Sequence, residues 1–143
     1  MNFVIDQRII IALVAVLILV IVLMFALGIL RRKTSGLDVE KYRSEWLKIE
    51  NSLDMKNPMT YQMAVLSADK LLDQAMRDSR VPGDTMGDRL KASKNRFNNI
   101  NDIWFAHKLR NRIAHEADVS LNLVTTKRAL FIFKKALKEL GAI

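Results

Sequence analysis

From Ile9 to Leu30 the chain runs without a charged residue, and nearly every position is Ile, Leu, Val, Ala, Met or Phe. At ~1.5 Å per residue, a helix of about 22 such residues matches a hydrocarbon core of about 30 Å. The run therefore predicts one membrane-spanning helix, with the lipid bilayer as its partner through Ile9 to Leu30. A cleaved signal peptide fits less well, because its apolar stretch is only about 7 to 15 residues long and follows a basic start. Here Asp6 offsets Arg8, and Ala26 and Gly28 lead directly into Ile29, Leu30 and a basic cluster. That cluster, Arg31, Arg32 and Lys33, resists translocation. The expected arrangement is a single-pass cell-membrane protein with its N-terminus outside and its C-terminal domain cytoplasmic.

Residues 1–33 thus read as an anchor with a basic flank, residues 34–38 as a short linker containing Ser35-Gly36, and residues 39–143 as one small domain. Asp6 and Arg8 cancel, so the whole net charge of +8 belongs to the chain from Arg31 onward. A basic domain of this kind attracts anionic lipid or nucleic acid, and charge alone does not choose. There are no cysteines, which removes disulfides and thiolate metal ligands and suits a reducing compartment.

The domain reads as all-α. Val39, Tyr42, Trp46, Ile49 and Leu53 recur every three or four residues. Asn57-Pro58 then offers a helix start, with the second helix running to about Arg80 and Pro82-Gly83 ending it. Its inward positions are Met59, Met63, Leu66, Leu71, Leu72, Ala75 and Met76; Asp69, Lys70, Asp73, Gln74 and Arg77 form its wet side. Thr85 and Asp88 resemble a capping box for a brief third helix with Leu90 and Phe97 inward. Asp102 can cap a fourth helix carrying Ile103, Trp104, Leu109, Ile113 and Ala114. A fifth begins near Thr125, with Ala129, Leu130, Phe133, Leu137 and Leu140 inward and Gly141 as its stop. No stretch alternates with period two, so the fold class is an N-terminal transmembrane helix followed by a four- to five-helix bundle.

The stock of reactive side chains is small. His107 and His115 are the only histidines, eight residues and so about 12 Å apart along one helix, which is too far to share an ion. No glycine-rich phosphate loop and no carboxylate-histidine cluster of metal-ligand spacing is present. No cofactor or metal is expected. What remains is Arg110-Asn111-Arg112-Ile113-Ala114-His115-Glu116, which pairs a fixed cation with a group that titrates near neutral pH.

Arg110 and His115 with four residues between, and Asn111 directly after the arginine, resemble the signature of the HEPN superfamily of small helical bundles. The resemblance implies metal-independent endoribonuclease activity in many members, and RNA- or protein-binding roles in others. It also implies a homodimer, in which two Arg-His motifs form a shared cleft with Arg110, Asn111 and His115 as the catalytic residues. Members regulated by nucleotide transfer carry a tyrosine two residues after the histidine; here that position is Ala117.

Plainer readings stand beside this one. Arg110 can simply pair with a carboxylate, and His115 can sit near a helix C-terminus where positive charge is favoured. His107 reads as a packed or rim histidine, and Trp46 and Trp104 as packing groups. Arg89, Lys91, Lys94, Arg96, Lys127, Arg128, Lys134, Lys135 and Lys138 read as a solvated basic surface suited to a polyanion. Three classes follow: a membrane-tethered ribonuclease, a non-catalytic RNA- or protein-binding adaptor at the membrane face, and a lipid-surface structural protein.

Overall fold

The computed structural model describes residues 7–33, 36–116 and 118–143, with side chains from 9 to 25 in the first of these segments. Contacts divide the chain into two units, residues 1–34 and 35–143. Among the described residues there are six helices and no strand.

The first unit is α1, Gln7–Lys33. Its described side chains, 9–25, are all exposed. The bilayer span expected over Ile9 to Leu30 is not supported: among the described residues no helix is long and apolar enough to cross a membrane. The transmembrane helix, the single-pass cell-membrane localisation and the topology drawn from Arg31, Arg32 and Lys33 are corrected with it.

The second unit is a bundle of α2 (Val39–Ser52), α3 (Met59–Asp78), the short α4 (Met86–Ala92), α5 (Ile100–His115) and α6 (Leu123–Glu139). Each start has a local cause. Asp38 caps α2 by accepting the Lys41 N–H at 3.1 Å, and Asn57 accepts the Met59 N–H at 3.1 Å ahead of α3. Thr85 and Asp88 close a reciprocal capping box on α4. Asn99, rather than Asp102, caps α5 by accepting the Asp102 N–H at 3.3 Å. Asp102 therefore lies in the first turn, where a negative charge meets the positive end of the helix dipole. Helix α6 starts at Leu123, two residues before Thr125, and is capped by Asn122, which accepts the Thr125 N–H at 2.8 Å.

Helix α3 is the hub, touching α2, α4, α5 and α6. Its Ala64, Ala68 and Ala75 are almost fully buried, and such small side chains let neighbouring axes approach closely. Leu72, Leu90, Phe133 and Leu137 are inaccessible to solvent and fill the space between helices. Truncating a leucine in such a setting costs about 2–5 kcal/mol. Several assignments to faces change. Met59 and Met63 are 75% and 62% exposed rather than inward, while Arg89, read as surface, is buried against Asp73.

Tyr42 joins α2 to the end of α3, its hydroxyl donating to Asp78 Oδ2 at 2.6 Å. Burial, reinforced by this bond, pushes the Tyr42 phenol well above its ordinary range. The same bond is the foremost reason that the Asp78 carboxyl lies below the usual carboxylate range. A depressed folded value means stability that is present at neutral pH and fades as pH falls through that value. Tyr42→Phe is expected to cost about 1 kcal/mol at pH 7 by urea unfolding, since Asp78 remains in contact with water. The gap from wild type should narrow in acid. An unchanged urea midpoint, or a gap that widens in acid, would contradict this account.

Candidate functional site

On α3, Asp69 follows Val65 by four residues and precedes Leu72 by three, and both neighbours are fully buried. Helical periodicity therefore carries its carboxylate into the core, where it is 3% exposed. It is not on the wet side of the helix with Lys70. An ionised carboxylate out of water requires partners, and α5 supplies them. Ile103, Ala106, His107 and Leu109 form the buried face of α5. Arg110, seven residues after Ile103, lies at the margin of that face.

His107 is buried, with its Nδ1 2.8 Å from Asp69 Oδ1. Arg110 Nε lies 3.2 Å from Asp69 Oδ2. Its N–H is not aimed along that line, because Nε makes no hydrogen bond, so the contact is an ion pair. Arg110 Nη1 donates to Asn111 Oδ1 at 3.0 Å, and Asn111 Nδ2 lies 3.3 Å from His107 Nε2. The four side chains close a ring: Asp69, His107, Asn111, Arg110. The Trp104 ring meets the His107 imidazole edge-on at 6.0 Å between centroids, giving one wall of the cluster an apolar surface. Arg110 keeps 36% of its side chain exposed. No protein atom among the described residues bonds its Nη2.

His115 is placed differently. It occupies the last turn of α5, exposed, and among the described residues it has no hydrogen-bond or ion-pair partner. It lies five positions after Arg110, about 7.5 Å along the axis and roughly 140° around it. Within one chain the structure joins Arg110 to Asn111 and leaves His115 apart. Ala117 lies outside the described residues. Neighbouring Arg112 pairs with Glu116 at 3.2 Å, both exposed.

Two members of the cluster, Asp69 and His107, were not among the expected site residues. The signal for Asp69 was present in the register Val65, Asp69, Leu72, Met76, which sets an acid inside an apolar stripe. His107 sits likewise four residues after Ile103. Among the described residues, no group of three or more His, Cys, Asp or Glu side chains could hold a metal ion.

Beside α5, the α6 surface carries aromatic and basic groups together. The Arg128 guanidinium lies 4.4 Å over the Phe105 ring. Phe131 and Val124 are 68% and 78% exposed, and Lys127 and Lys135 are exposed on the same helix. The chain matches no protein-family model, no curated protein and no solved structure.

Proposed function

We propose that the helical domain is a HEPN-like, metal-independent endoribonuclease that works as a pair of copies. The observation that carries this reading is Arg110: a buried carboxylate fixes its stem while part of its guanidinium, including Nη2, has no protein partner among the described residues. Arginine offers phosphate a planar array of donors. His115, exposed and without a partner among the described residues, is the imidazole of the same helix end. The separation of Arg110 from His115 within one chain is the reason for invoking a second copy, which brings another His115 and another Arg110 to the substrate.

The reaction needs no activated water. The 2′-hydroxyl of RNA attacks the adjacent phosphorus while one His115 accepts its proton. The 2′-O–P bond forms and the P–O5′ bond breaks, and the His115 of the second copy protonates the leaving 5′-oxygen. Arg110 stabilises the negative charge that builds on the phosphoryl oxygens. The products are a 2′,3′-cyclic phosphate and a free 5′-hydroxyl. The test is RNA cleavage by the purified full chain in excess EDTA, with end-group analysis. A 5′-phosphate product, or activity abolished by the chelator, would refute this chemistry.

A second reading is favoured by one feature of the same site. Asp69 already neutralises Arg110, and such a pair can serve RNA or protein binding with no cleavage. In either case RNA meets a basic surface. The Phe105–Arg128 stack and exposed Phe131 supply π-faces beside Lys127 and Lys135, the combination that holds single-stranded nucleic acid. Phe131→Ala is expected to weaken single-stranded RNA binding about tenfold without altering the fold. Affinity of the unmodified protein should fall steeply with salt as counterions are released. Unchanged affinity in the Phe131→Ala protein, measured by fluorescence anisotropy, would remove this face from the RNA path.

A further inference from the structure

We infer that His107, which lies outside the Arg-Asn-x-x-x-His motif, is a positioning residue whose single tautomer, Nδ1–H, sets the direction of the hydrogen-bond chain that holds Arg110. At one end an ionised Asp69 only accepts, so His107 Nδ1, 2.8 Å from Oδ1, carries the proton. A neutral imidazole then has a lone pair at Nε2. Asn111 must face that lone pair with its amide nitrogen, 3.3 Å away. At the other end Arg110 only donates, so the Asn111 group 3.0 Å from Nη1 must be the carbonyl oxygen.

The two ends demand the same orientation of Asn111, and each is fixed without reference to the other. An Nε2–H tautomer breaks this agreement. Its proton would confront the Asn111 amide protons, and an amide flip to relieve that would turn a donor toward Arg110. One Arg110 contact would then be lost, and the guanidinium would be held by Asp69 alone. The ring is complete in one polarity, and that polarity originates in a buried histidine pinned by a buried carboxylate.

For function this assigns the motif asparagine a role determined from behind: its oxygen is committed to steadying Arg110. Held at Nη1 and beside Asp69, Arg110 presents its remaining donors in one geometry. Misplacing a group that binds the transition state costs roughly 100-fold in rate. The consequence for cleavage rests on the ribonuclease reading; the tautomer does not.

The experiment uses the full-length chain labelled with nitrogen-15. The two histidines are assigned with a His115→Gln variant, which leaves His107 as the sole imidazole. Long-range proton–nitrogen correlation is expected to show His107 Nδ1 as the protonated nitrogen and Nε2 as the bare one. An Nε2–H tautomer at His107 overturns the inference, whatever the protein does to RNA.

Two further variants read the consequence. His107→Leu removes both ring contacts and is expected to lower kcat roughly 100-fold with a smaller change in KM, because Arg110 is mispositioned for the transition state. His107→Gln restores one donor and one acceptor and should recover part of that loss. A folded His107→Leu protein that cleaves at the wild-type rate overturns the positioning role. If the unmodified chain cleaves no RNA while His107 shows Nδ1–H, the ribonuclease reading fails and the assigned polarity stands. Should His107→Leu fail to fold, the tautomer and the His107→Gln kinetics still decide.

Discussion

Replacing His115 with alanine is expected to reduce RNA cleavage about 100-fold or more while the melting temperature stays within a degree or two of wild type. The two halves of this expectation come from separate observations. His115 is exposed on the last turn of α5 and among the described residues holds no partner, so its removal opens no cavity and strands no buried group. In the proposed reaction it moves both protons, one in each copy, and the substitution removes acid and base together. Arg110→Ala should slow cleavage comparably, but with a cost in stability, because Asp69 is then left 3% exposed with His107 as its remaining partner. Asn111→Ala should slow it less, since an amide moves no proton at neutral pH. DNA, lacking the 2′-hydroxyl, should survive all of these proteins. Rates measured on one fluorogenic RNA with EDTA present decide the matter: an active His115→Ala enzyme would dismiss the motif as the source of cleavage.

The contrast between His115 and Arg110 shows what the sequence made legible and what it hid. Spacing alone located the helices of the bundle, because Tyr42, Trp46 and Ile49, or Ala129, Phe133 and Leu137, repeat with the helical period and are buried. It located starts where side-chain chemistry is unambiguous, as at Thr85 with Asp88. At α5 two residues three positions apart can each cap, and the choice of Asn99 over Asp102 was not readable from composition. On α3 the apolar residues outnumber the places in the core. Met59 and Met63 lie near its free N-terminal end and remain in water. Polarity also misled. Asp69 and Arg89 were read as wet because charged side chains usually are, although both occupy inward register positions and the structure buries both with partners. Those partners, His107 and Asp73, lie 38 and 16 residues away in the chain. A pairing between helices leaves no local mark, so the sequence indicated Arg110 and Asn111 but not the ring that holds them.

The second large effect follows from this burial. Asp73→Ala is expected to destabilise the bundle by about 3–5 kcal/mol, a large share of the roughly 5–15 kcal/mol that stabilises a domain of ordinary size. Arg89 is 5% exposed. Its Nε and Nη2 reach Asp73 Oδ1 at 2.8 and 2.7 Å, and its Nη1 donates to the Gly83 carbonyl at 2.5 Å. Gly83 is held at φ +140°, and a Cβ there would meet the Arg89 backbone nitrogen at 2.7 Å, so the turn leading into α4 lies directly against the start of that helix. Without Asp73 the charge stays buried beside one carbonyl. The comparison with Asp69, one turn earlier on the same helix, sharpens the expectation. Its cationic partner Arg110 is already 36% exposed and can turn to solvent, so Asp69→Ala should cost less stability than Asp73→Ala while disturbing the site more. Arg77, which also pairs with Asp73 but is 49% exposed, provides the control, and Arg77→Ala should cost under about 1 kcal/mol. Replacing Asp73 and Arg89 together by Leu and Met should recover much of the loss, because no charge is then left without a partner. Urea unfolding of this set at neutral pH tests the ranking. An Asp73→Ala protein as stable as the Arg77→Ala protein would mean that Arg89 reaches water on its own and that the pair does not hold α4 to α3.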